Sequence, residues 1–121
     1  MDLNIIKEYS LSLKGSREYF PFDEETLVFK VADKIFLITN IFSPQKITIK
    51  ATPEKSLKLR AKYEEITPGY HMNKKHWITI DISTGRFTRE QIETLIKESY
   101  TLVFNGLTRH QKEQVNYSSP R

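Results

Sequence analysis

The sequence contains no cysteine. That single absence excludes disulfides, cysteine-ligated zinc, iron–sulfur clusters and thiol nucleophiles, and it fits a reducing, cytoplasmic setting. Glycine is scarce, at four residues, so there is little room for a glycine-rich phosphate loop, and no serine stands in a nucleophile-elbow pattern. No apolar run approaches the roughly 20 residues that a membrane helix needs. Asp2, Leu3, Asn4, Ile5 and Ile6 lack the basic start of a secretion signal, which leaves the Asn116-Tyr117-Ser118 sequon without meaning. No contact with a membrane is expected.

What remains is an ordinary globular composition. Hydrophobic residues make up 38% and charged residues 28% of the 121-residue chain, too apolar for disorder. A chain of this length buries about two-thirds of the surface that its unfolded form exposes, enough for one core. The expectation is one domain over residues 1–112, a flexible tail over 113–121, and a monomer or weak dimer.

The chain carries 19 Lys and Arg against 15 Asp and Glu, a net charge of +4 that is modest for a nucleic-acid binder. Its distribution is uneven. Residues 46–77 hold Lys46, Lys50, Lys55, Lys58, Arg60, Lys62, Lys74 and Lys75 against only Glu54, Glu64 and Glu65, so the whole positive excess lies in about a quarter of the chain. Gathered on one side, that segment would attract phosphates or carboxylates. The same residues also suit the solvated faces of a strand and a helix.

Ile5, Ile6, Tyr9 and Leu13 form one helical stripe that Gly15 ends. Phe20 and Phe22 around Pro21 suit a short edge strand. Leu27–Val31 and Ile35–Ile38, separated by Ala32 and Asp33, read as a hairpin. Lys46–Lys50 alternates, with Ile47 and Ile49 inward and Lys46, Thr48 and Lys50 on a wet face. Thr52-Pro53-Glu54 opens a helix to about Tyr63. On it Lys55, Lys58 and Lys62 share one side, Leu57 and Ala61 lie opposite, and Leu59 falls off the stripe. Thr67-Pro68-Gly69 breaks the chain before a strand over Trp77–Ile82. Thr88 with Gln91 is a capping box, Phe87 with Ile92 a hydrophobic staple, and Ile92, Leu95, Ile96, Ser99 and Val103 the core stripe of a closing helix. The expected fold class is α+β, an antiparallel β-sheet flanked by helices in the order α-β-β-β-β-α-β-α.

One stretch departs from core logic: Pro68-Gly69-Tyr70-His71-Met72-Asn73-Lys74-Lys75-His76-Trp77. It holds two of the three histidines, the only tryptophan and adjacent lysines, with no acid. Aromatic faces beside cationic donors can stack a ring while holding a phosphate or carboxylate. The alternative is that Tyr70, Met72 and Trp77 plug a sheet edge while the histidines cap carbonyls. His71 and His76, five apart, point to different sides on a regular helix, and no metal or other cofactor is expected. Either histidine could serve as a general base near neutrality, and Lys75 as a nucleophile if desolvated. His110, among Arg109, Gln111 and Lys112, reads as a plain surface residue.

The segment PGYHMNKKHW resembles the signature of the MmcQ/YjbR family of small bacterial proteins. The likeness extends to Phe20-Pro21-Phe22-Asp23, Leu27–Val31 and Lys34-Ile35-Phe36, to Lys50–Glu54 with Leu59-Arg60, and to Leu95-Ile96, Ser99-Tyr100 and Gly106-Leu107. It covers about Leu3 to Lys112. Lys14 replaces the family's usual proline before Gly15, and Ile78 its usual polar residue after Trp77, so a polar contact is expected to be missing there. The resemblance implies a sheet with flanking helices like that of YjbR and the type III secretion chaperones, described as a double wing and labelled DNA-binding from that shape. It also implies a functional surface of Tyr70, His71, Asn73, Lys74, Lys75, His76 and Trp77.

The leading expectation is therefore a non-catalytic module that binds nucleic acid (DNA) weakly. Lys50, Lys58, Lys62, Lys74 and Lys75 would meet phosphates, and Tyr70 and Trp77 would stack. The alternatives are a module for a protein partner or small anion, as the chaperone likeness suggests, and an enzyme using His71 or His76.

Overall fold

The structure, a computed structural model, describes residues 2–69 and 72–117. Its elements run α1 Leu3–Ser12, β1 Ser16–Tyr19, β2 Thr26–Val31, β3 Lys34–Asn40, β4 Lys46–Lys50, α2 Pro53–Lys62, β5 Ile66–Pro68, β6 Trp77–Asp81, α3 Arg89–Asn105 and α4 Arg109–Asn116. The fold is α+β. The strands form one antiparallel six-stranded sheet in the order β1-β2-β3-β4-β6-β5.

Strand alternation divides the sheet into two unlike faces. Leu27, Phe29 and Val31 of β2, Ile47 and Ile49 of β4, and Ile78 and Ile80 of β6 enter one core cluster. Ile6 of α1, Ile92, Ile96, Tyr100 and Val103 of α3, and Val115 of α4 enter the same cluster, with Leu59 of α2 packed against it. Val28, Ile38, Thr48 and Thr79 are absent from it, because period-two geometry turns them to the other face. All four helices thus pack on one face and leave the other to the sheet's own side chains.

The helices start where local chemistry satisfies their first N–H groups. Asp2 accepts from Ile5 N at 3.0 Å and Thr52 from Lys55 N at 3.3 Å. Thr88 and Gln91 form the expected reciprocal capping box at the start of α3. Thr108 and Gln111 repeat it at the start of α4.

Several expectations need correcting. Residues 113–116, expected in a flexible tail, close α4, and Val115 is buried at the turn after α1. The edge strand is Ser16–Tyr19, not Phe20–Phe22. Its pairing with β2 stops at Tyr19, and the chain turns where Asp23 Oδ1 accepts from Glu25 N and Thr26 N at 2.9 and 2.6 Å. The break at Thr67-Pro68-Gly69 overlaps β5, an outer strand in which proline is tolerated because its nitrogen faces away from β6, the bond to Trp77 O coming from Gly69 N–H at 2.8 Å. The order gains one strand and one helix over the expected one. On α2 the inward residues are Ser56 and Leu59, while Leu57 is 63% exposed, the reverse of the expected stripe.

Candidate functional site

The site grows out of the face that the helices leave uncovered. Cross-strand pairing places Tyr19, Val28, Ile38, Thr48, Thr79 and Thr67 in one row across all six strands. Arg17, Lys30 and Ile35 form a second row toward β1, and Lys50 with Trp77 lies at the end of β4. The Lys30 ammonium stands 5.1 Å from the centre of the Tyr19 ring, and that of Lys50 stands 6.0 Å from the Trp77 ring. Both pairs fall within cation–π range. At the opposite end Lys46 pairs with Asp81. Asp81 accepts from Ser83 N at 3.0 Å and Ser83 Oγ at 2.6 Å, and these bonds, with Lys46 adding a smaller share, hold its carboxyl below the usual range.

The middle of the face is less wet than the alternation of Lys46–Lys50 implied. Thr48 and Thr79 are buried and lie Oγ1 to Oγ1 at 2.8 Å. Above the row opens a trough of about 590 Å³, bordered by Phe22 from the β1–β2 connection and Met72 from the β5–β6 connection.

The β5–β6 connection is held by its backbone. Asn73 O accepts from His76 N at 3.1 Å and Trp77 N at 3.0 Å, while Asn73 Oδ1 accepts from Lys75 N at 2.9 Å. Asn73 therefore shapes the turn that presents Lys74, Lys75 and His76, all exposed. His76 O accepts from Ala51 N at 2.9 Å and ties the turn to the end of β4. Gly69 is required beneath it, since a Cβ there would stand 2.5 Å from Trp77 Cβ. Tyr70 and His71, expected in the site, lie outside the described residues.

The helical layer positions Lys50 from below. Ser99 of α3, fully buried, donates to Phe36 O at 2.6 Å and accepts from Lys50 N at 2.8 Å. Phe36 occupies the bulge of β3, between Ile35, which pairs with Lys30, and Leu37, which pairs with Phe29. One hydroxyl thus joins the bulge, the end of β4 and the helix.

The basic segment is split between the layers. Lys50, Trp77 and the 73–76 turn belong to the uncovered face or its border. Lys58 and Lys62 sit on α2, in the helical layer, where Lys55 pairs with Glu98 of α3 and the Lys62 ammonium lies 5.3 Å from the Tyr63 ring. Sequence reasoning placed Lys46 in the basic segment but missed Arg17, Tyr19, Phe22 and Lys30 as members of this surface. For Arg17, Tyr19 and Lys30 the signal is the alternation of β1 and β2, which names a face only once the register is known, and Phe22, in the β1–β2 connection, carries no such signal.

The YjbR family model matches residues 11–102, from the end of α1 well into α3. The chain belongs to the YjbR family. It is 36% identical over 110 residues to YbdF of Escherichia coli O157:H7, covering 90% of this chain and 89% of that protein. To YjbR of Escherichia coli K12 it is 25% identical, covering 93% and 96%. A Deinococcus radiodurans crystal structure of the DUF419 domain superposes with a TM-score of 0.84 at 36% identity, over 92% of this chain and 85% of that one. A Pseudomonas syringae protein does so at 0.70 and 27%, over 85% and 99%. Against the YjbR pattern, both departures noted in the sequence fall off the site. Ile78 is fully buried in the helical-face core, and Lys14 contributes its carbonyl to Tyr100 Oη at 2.5 Å. Helix α4 lies beyond the residues that the YjbR family model matches.

Proposed function

We propose that this YjbR-family chain is a non-catalytic module that binds nucleic acid weakly across the uncovered face of its sheet. One observation carries the reading: on that face two aromatic rings, Tyr19 and Trp77, each lie beside a lysine ammonium, with Arg17, Lys46 and the Lys74-Lys75 turn around them. Such a surface can stack bases on the rings while its cations meet the phosphates. An unpaired strand suits it better than a duplex, whose bases are already stacked. Binding of this kind is on the order of 10⁻⁴ to 10⁻⁶ M at physiological salt. Lys58 and Lys62 take no part in it.

NMR shift mapping against a short single-stranded oligonucleotide, the matching duplex and heparin tests the reading. The single strand is expected to shift β1, β2, β4 and β6 resonances around Tyr19, Lys30, Lys50 and Trp77. Replacing Lys74 and Lys75 with alanine is expected to flatten the slope of log K against log salt by about 1.4, at roughly 0.7 per phosphate contact. A map centred on α2, or equal shifts from all three polyanions, defeats the proposal. A second reading, as a small-anion-binding module, is favoured by the trough in the same face.

A further inference from the structure

The trough over the Ile38–Thr48–Thr79 row is a cavity within the uncovered face, and of the cations placed on that face only Lys46 lines it. At about 590 Å³ it falls in the range of small-ligand sites, whereas the grooves between α2 and α3 measure about 280 and 380 Å³. Its floor is half apolar and half hydroxyl: Ile38, then the Thr48–Thr79 pair. Phe22 and Met72 reach its border from opposite ends of the sheet, so their contact with an occupant would join two loops that the fold itself keeps apart. Lys46 is the one ionisable residue among its described lining, and no carboxylate lines it. Asp81, opposite Lys46, is the acid that faces this end, and its Oδ1 is engaged by Ser83.

We infer that this trough is a binding site for a small amphipathic organic anion, a compact ring or short chain bearing one carboxylate, sulfonate or phosphate. The apolar body lies on Ile38 between Phe22 and Met72. The hydroxyl pair offers polar contacts along one edge, and the charged group meets Lys46 at the mouth. Charge sets the sign of the ligand, since a cation would meet Lys46 with no carboxylate in the lining to offset it. Shape sets its size, since a trough of about 590 Å³ bordered by Phe22 and Met72 takes a compact ligand and not an extended polymer. The inference shares Lys46 with the nucleic-acid reading, which otherwise uses the rings and cations outside the trough.

The probe is 8-anilinonaphthalene-1-sulfonate, with N-phenyl-1-naphthylamine as the same ring system without the sulfonate. The native chain is expected to bind one sulfonate saturably. Methyl resonances of Ile38, Thr48, Met72 and Thr79 should shift, with amide dispersion preserved. Lys46→Gln should weaken the sulfonate about fivefold, the scale of one exposed ion pair, and leave the neutral probe unchanged. Thr67→Phe, at an exposed site on the outer strand, should block both probes by filling the trough. Methyl shifts confined to the α2–α3 grooves, equal loss of both probes in Lys46→Gln, or full binding in a folded Thr67→Phe protein would each overturn the inference. Oligonucleotide binding that persists without the sulfonate, or the reverse, separates the fate of the two proposals.

Discussion

Ser99 shows how much of the site depends on one buried hydroxyl. Its Oγ completes the hydrogen bonding of both Lys50 N and Phe36 O in a dry interior. Ser99→Ala removes the one hydroxyl that both groups share with little change in volume, so two backbone groups lose a bond. The expected cost is about 2–3 kcal/mol in urea unfolding, with backbone shifts at Lys50 and at the β3 bulge. Gly69 makes a second demand of this kind. Backbone atoms of Trp77 lie 2.9 Å from the point where an alanine methyl would sit, so Gly69→Ala must move the β5–β6 connection or the strand beneath it. Roughly 1–3 kcal/mol of destabilisation is expected, with altered Trp77 emission and amide shifts concentrated at residues 73–77. Both sites could be named from the sequence as a serine on a core stripe and a glycine in a loop. Neither could be ranked, because the partners of Ser99 are 49 and 63 residues away.

At the scale of elements, α3 was readable in full and α4 was not. Both open with the same Thr-x-x-Gln box, Thr88 to Gln91 and Thr108 to Gln111. Helix α3 then repeats apolar residues at core spacing, whereas α4 offers one, Val115, among polar neighbours, so hydrophobic periodicity has nothing to register. Its docking shows only in three dimensions. A Cβ on Gly15, whose φ is +74°, would come within 3.1 Å of Val115. Val115→Ala is therefore expected to cost about 1–2 kcal/mol and to raise amide exchange in α4 first. An unchanged melting curve would return these residues to the tail. The short β5 escaped notice for a related reason: a three-residue strand containing proline resembles a turn, and only its pairing with β6 distinguishes the two.

Across the whole molecule, charge and burial link stability to pH. Asp23 is held below the usual carboxylate range by the N–H groups of Thr26 and Glu25, and Asp81 by the hydroxyl and N–H of Ser83. A folded pKa below the unfolded one adds stability above about pH 4 that is lost as pH falls through the lowered value. Stability should thus fall as pH drops below about 4, and Asp81→Asn should reduce the drop while its amide oxygen still accepts from Ser83. Urea midpoints measured from pH 6 to pH 2 check this, and an identical slope in the variant would remove Asp81 from the account. Burial raises the Tyr100 hydroxyl above its ordinary value, so its share of stability holds below about pH 10 and is lost only as pH rises through the raised value. Among the described residues no helix is long and apolar enough to cross a membrane.

The α+β class, the inward stripes of β4, β6 and α3, and the caps of α2 and α3 all follow from neighbours within a few residues, where periods of 2 and 3.6 are written directly into the chain. The identity of the uncovered face is a different kind of fact. It requires the register that sets Tyr19 beside Val28, Ile38 beside Thr48 and Lys50 beside Trp77, together with the choice of all four helices to pack on the other side. That choice divided the basic segment. Lys50 and the 73–76 turn stayed with the open sheet, while Lys58 and Lys62 went to α2 and the helical layer. A run of charge along the chain becomes a surface only when strand pairing and layer packing agree on its side, and both are set by contacts between residues far apart in sequence.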